Sequence, residues 1–165
     1  MPASISFPSP SRRVGLGLTL AALCLSACDL VTPATPTAEP AVGLGGICDA
    51  EYVGKQAPVE GYFIYPDELT ADATLTLILN SAPGGVEPYV HVRIPVGTGP
   101  NQVEPPPADA SDQDLRVHTA SGEVADMNRR LRVVGTVTAG DMGDGTTCFL
   151  ADPTISLAAD VNPVP

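Results

Sequence analysis

Few residues in this chain have the types or spacing for chemistry. His91 and His118 are its only histidines. A histidine beside a carboxylate acts as a general acid or base near neutral pH, so either one with nearby acids is the natural starting point for an enzyme. Metal ligation would need partners from other strands. The motifs G-x-S-x-G, H-E-x-x-H and the P-loop are absent. Asp141 to Thr146 (DMGDGT) puts acidic oxygens on a Gly-rich loop. It lacks the D-x-[DN]-x-[DN]-G spacing and distant Glu of a calcium loop, and reads as a hairpin turn. Arg129, Arg130 and Arg132 form the one basic cluster and read as surface ion-pair partners. On these grounds no catalytic residue, metal or cofactor is assigned.

The charge balance narrows the partners. Eight Lys+Arg stand against nineteen Asp+Glu in 165 residues. Arg12 and Arg13 precede every acid, so from Cys28 onward 8 − 2 = 6 bases face 19 acids, a net of −13. Nucleic-acid binding draws most of its affinity from phosphate neutralisation and counterion release. A chain of this sign is expected not to bind single-stranded DNA or RNA at physiological salt, and its partners are expected to be neutral or cationic.

The amino terminus reads as targeting rather than fold. Arg12-Arg13 precede an apolar run of twelve residues, VGLGLTLAALCL at 14–25. A spanning helix needs about 20, so the run suits a signal peptide. It ends Leu25-Ser26-Ala27-Cys28, which resembles the lipobox of bacterial lipoproteins. The resemblance covers residues 11–28 and implies diacylglycerol transfer to the Cys28 sulfur, cleavage before it, and a lipid-anchored domain outside the cytoplasm. Ser11-Arg12-Arg13 also resembles the start of a twin-arginine signal, from which Gly15 departs. Residues 1–27 are thus expected to be signal peptide and 28–47 a Pro/Thr-rich tether. The tether lifts the domain at most roughly 50 Å from a bilayer.

Of four cysteines, Cys24 falls in the signal and Cys28 is the proposed lipid site. Cys48 and Cys148 remain, with no CxxC spacing. In an exported protein these two are expected to pair, the alternative being two buried free thiols. The closed span is 148 − 48 = 100 residues, for which loop entropy gives about 4–5 kcal/mol.

Eighteen prolines and sixteen glycines argue for many turns and few long helices. Period-two alternation predicts strands at 59–65, 74–80, 89–96, 130–138, 148–151 and 154–157, with a short one near 115–118. Leu75, Leu77 and Leu79 share one face, as do Val90, Val92, Ile94 and Val96. The class is all-β, expected to be antiparallel, in a single domain at 48–158 with a tail at 159–165. Val59-Glu60-Gly61 opening strand one, the long hairpin TLTLILN/YVHVRIPV and the later LRVVGTV strand resemble an OB-fold. That fold is a five-stranded Greek-key barrel. Gly61 and Gly135 would permit sharp bending. The stretch 97–114, with Pro105-Pro106-Pro107, leaves room for only a turn or two of the helix such barrels carry. The alternative is an immunoglobulin-like sandwich.

Two functions follow. One is a lipid-anchored, non-catalytic binding module for a glycan or an envelope protein, with Tyr62, Tyr65, Tyr89, His91 and Arg93 as its expected face. The other is an envelope hydrolase or other enzyme using His91 or His118 with nearby carboxylates. A convergent acid–histidine pocket would favour the second, and a shallow open face the first.

Overall fold

A computed structural model describes residues 39–69, 72–85 and 87–159. Cys28, the expected signal peptide and most of the expected tether lie outside the described residues.

Among the described residues seven strands follow in order: β1 (Gln56–Ile64), β2 (Thr74–Asn80), β3 (Tyr89–Pro95), β4 (Val117–His118), β5 (Val124–Ala125), β6 (Leu131–Ala139) and β7 (Cys148–Leu157). Five close into a barrel in the order β1-β2-β3-β7-β6. The seams β1/β2, β2/β3, β6/β7 and β1/β6 are antiparallel. The β3/β7 seam is parallel, so the all-antiparallel expectation fails at that one join. A parallel join needs a long crossover, and the chain from 96 to 147, which includes β6, supplies it. This is the OB-like topology, with β6 and β7 as fourth and fifth barrel strands. A single closed sheet rules out the two-sheet immunoglobulin-like sandwich.

Alternation builds the interior. Leu75, Leu77 and Leu79 of β2, Val90, Val92 and Ile94 of β3, and Leu131, Val133 and Val137 of β6 are all buried in one core. Strand β1 serves two neighbours: Gln56 to Gly61 pair with β6, and Tyr62 to Ile64 with β2. The hand-over falls at Gly61, where an added Cβ would stand 2.2 Å from the Asn80 carbonyl oxygen. Only glycine allows that approach. Residues 148–151 and 154–157, expected as two strands, form one. Asp152 takes φ 49° opposite a register shift between Val134 and Thr136, and this bulge accommodates a proline that cannot donate to the ladder.

Among the described residues, 3-10 turns rather than an α-helix pack against the barrel. A 3-10 turn at Leu44–Gly46 sends Leu44 and Ile47 into the core, and Cys48 just beyond it is bonded to Cys148 at the start of β7, Cα to Cα 5.5 Å. In the crossover, a 3-10 turn at Asp112–Asp114 is closed by a Ser111/Asp114 capping box, followed by the small β4–β5 hairpin. Leu115 and Val117 are buried there. The basic cluster makes ion pairs, as expected: Arg130 and Arg132 reach Glu60 at 3.2 and 3.0 Å, and Arg129 reaches Glu123 at 3.8 Å.

Candidate functional site

The chemistry gathers on the outer side of β3. Tyr89, His91 and Arg93 are alternate residues facing away from the core, opposite Asn80, Ile78 and Thr76 of β2. Over this row comes the β6–β7 loop, residues 140–147. It folds on itself through Gly140 N–H to Thr147 O (2.9 Å) and Met142 N–H to Thr146 O (3.0 Å), with Gly143 and Gly145 at φ 86° and 90°. Positive φ there needs glycine. Asp144 accepts the Thr146 N–H on Oδ1 at 2.9 Å, which turns Oδ2 toward β3. Oδ2 lies 2.7 Å from His91 Nε2 and accepts the Tyr89 hydroxyl at 3.0 Å. The Tyr89 and His91 rings meet edge to face at 5.7 Å.

The electrostatics follow from these contacts. Burial alone would raise the Asp144 carboxyl. Hydrogen bonds from the Thr146 backbone, His91, the Thr146 hydroxyl and Tyr89 outweigh it and hold the group well below the usual carboxylate range. The Thr146 hydroxyl favours the Tyr89 phenolate, but the bond to Asp144, partial burial and nearby acids raise the phenol above its ordinary value. An ionised carboxylate only accepts, so hydrogen-bond logic places a proton on His91 Nε2. His91 Nδ1 is buried and has no partner among the described residues. The ring therefore turns no free nitrogen to solvent. Its side chain is 8% exposed against 34% for Asp144. The accessible groups are the Tyr89 hydroxyl and the carboxylate.

Clefts line this face. One of about 620 Å³ is bordered by Leu44, Cys48, Glu87, Pro88, Tyr89 and Asp144. One of about 240 Å³ is bordered by Glu68, Thr76, His91 and Met142. Two more, about 330 and 450 Å³, flank Arg93. The Arg93 guanidinium lies 3.8 Å over the centre of the Phe149 ring, a cation–π stack.

The five residues expected as a binding face do not share one surface. Tyr65 is buried in the core, its N–H bonded to Asp112 Oδ1 at 2.8 Å. Tyr62 and Tyr65 stand three apart on an extended segment, which sends them to opposite sides. Tyr62 is half-buried and borders a different cleft with Arg129 and Arg130. His91 faces outward but is covered by the loop, whereas a surface histidine was expected. Tyr89, His91 and Arg93 remain together. His118 Nε2 meets Glu104 Oε1 at 3.0 Å on the crossover and borders none of these clefts. Among the described residues, no group of three or more His, Cys, Asp or Glu is placed to hold a metal ion.

Sequence reasoning missed Asp144 as the partner of His91, Phe149 as the ring beneath Arg93, and Asn80. Asn80 is 1% exposed, and both its amide atoms lack partners among the described residues. A polar residue ending the run TLTLILN was its only signal. The chain matches no protein-family model, no curated protein and no solved structure.

Proposed function

We propose that this chain is an extracytoplasmic binding module, tethered by lipid on Cys28, that takes its ligand along the outer side of β3. One observation carries this reading: Tyr89, His91 and Arg93, alternate residues of one strand, each border a cleft. A row of clefts along a strand suits an extended ligand such as a glycan or a peptide segment of an envelope protein. The Cys48–Cys148 bond supports an oxidising compartment, and the lipobox supports anchoring. The −13 balance from Cys28 onward disfavours nucleic acid. Among the described residues no helix is long and apolar enough to cross a membrane.

A second reading has its own observation. His91 and His118 each meet a carboxylate, at 2.7 and 3.0 Å, which is the pairing an acid–base enzyme uses. On that reading Asp144 orients His91 and the Tyr89 hydroxyl faces substrate in the 620 Å³ cleft. One experiment separates the two. The purified protein is screened against envelope glycans and peptides for binding, and against esters, glycosides and peptides for turnover. Binding lost on Arg93→Ala or Tyr89→Ala, without turnover, supports the module. Turnover abolished by His91→Gln or Asp144→Asn replaces it with the enzyme.

A further inference from the structure

Among the described arginines, Arg93 stands apart. Arg129, Arg130 and Arg132 are paired with carboxylates. Arg116 donates to the Gln113 and Leu115 carbonyls. Arg93 has neither kind of partner among the described residues, although Asp72 and Asp152 border its two clefts. Its guanidinium carbon instead lies 3.8 Å from the centre of the Phe149 ring. Stacking uses the face of the group and leaves its N–H donors free at the edge. A planar fork that rests on a ring loses less freedom when it binds than a side chain with no contact.

We propose that Arg93 on Phe149 is a subsite for a sugar ring carrying a single carboxylate. This rests on the binding-module reading and names the ligand class for it. Three features set the class. The planar fork matches a carboxylate through two parallel hydrogen bonds. The flanking Asp72 and Asp152, on a chain with thirteen more acids than bases from Cys28 onward, penalise each further negative charge, so a phosphate dianion or a polyanion fits worse than one carboxylate. Thr74 and Thr76 of β2 and Thr138 of β6 border the same clefts. The Thr74 and Thr76 hydroxyls can each donate and accept, and the Thr138 hydroxyl, which donates to the Thr136 carbonyl at 3.4 Å, can accept; this is what a polyhydroxylated ring requires. A peptide carboxy terminus shares the carboxylate but makes no use of three hydroxyls.

The full chain, disulfide intact, is titrated by NMR with glucuronic acid, glucose and N-acetylalanine. The signals followed are the Arg93 side-chain Nε–H and the amides of Thr74, Thr76 and Thr138. Glucuronic acid should move all four with a Kd on the order of millimolar, and at least tenfold more tightly than glucose. Arg93→Lys keeps the charge but not the fork and should weaken binding at least fivefold; Arg93→Gln should abolish it. Arg93 is exposed, so unchanged amide signals elsewhere verify the fold of both variants. N-acetylalanine binding as tightly as glucuronic acid would overturn the sugar assignment in favour of a peptide terminus. Shifts that survive Arg93→Gln, or no shift at Arg93 with any probe, would overturn the subsite. If saccharides move Tyr89 and Thr146 but not Arg93, the subsite falls and the binding module stands. If no envelope glycan or peptide moves any signal of the β3 face, the module falls with it.

Discussion

Replacing Asp144 by Asn tests whether the β6–β7 loop is pinned to β3 by one carboxylate. The substitution keeps shape and removes charge. The carboxylate has two links to β3, through His91 Nε2 and the Tyr89 hydroxyl. A hydrogen bond to a charged group contributes about 1.5–3 kcal/mol net. Asp144 is a third exposed, so solvent screening places each at or below the low end of that range, and two bonds to one oxygen do not add fully. The pin is then worth about 2 kcal/mol, or roughly 30-fold in the ratio of closed to open loop. Native-state hydrogen exchange reads this directly. The Gly140 and Met142 amides, bonded across the loop to Thr147 and Thr146, should exchange about 10–30-fold faster in Asp144→Asn, while the β1 amides stay unchanged. The pH dependence has a definite sign. The Asp144 carboxyl is depressed on folding, so its contribution is complete above the unfolded value of about 3.9 and is lost as pH falls through the lower folded value. Tyr89 is raised, so its contribution is complete below its ordinary value of about 10 and is lost as pH rises past that. The Asp144 and Tyr89 contributions to wild-type loop protection should therefore fall away at the acid and alkaline extremes respectively, and the acid limb should be lost in the variant. Exchange at Gly140 and Met142 within twofold of wild type in Asp144→Asn would refute the pin.

Gly61→Ala places a Cβ 2.2 Å from the Asn80 carbonyl oxygen. Backbone must move to relieve that contact, so a loss of at least about 2–3 kcal/mol is expected, and unchanged urea unfolding would show that β1 does not bend there. Removing the disulfide as Cys48→Ser with Cys148→Ser frees a loop of 100 residues and should cost about 2–5 kcal/mol; equal melting temperatures with and without reductant would contradict it. Cys28→Ala should abolish metabolic fatty-acid labelling, and labelling that persists in the variant removes the lipid anchor from the proposed function.

The barrel was legible because its cause is local. A period-two pattern states which residues face inward, and TLTLILN, YVHVRIPV and LRVVGTV state it without ambiguity. Gly61 was legible as a bend because a glycine inside an alternating strand has few other reasons to be there. The outer face was legible only in parity. Alternation turned His91 outward correctly, but parity does not say what covers an outward residue. Its cover comes from Asp144, 53 residues away, delivered by the parallel β3/β7 seam that brings the loop before β7 beside the start of β3. The DMGDGT turn was recognised as a turn, and nothing in its spacing names the strand beneath it. The same seam brings Phe149 next to His91 in register and under Arg93. An isolated arginine on an exposed strand therefore acquires its ring from tertiary structure alone. Tyr65 marks the opposite error: three steps from Tyr62 reverse the face, a rule that was available in the sequence and that its aromatic character obscured. Residues whose neighbours lie within a strand can be placed by counting. Those whose neighbours arrive across the one parallel join, Asp144 and Phe149, hold the candidate site together and become visible only once the barrel has closed.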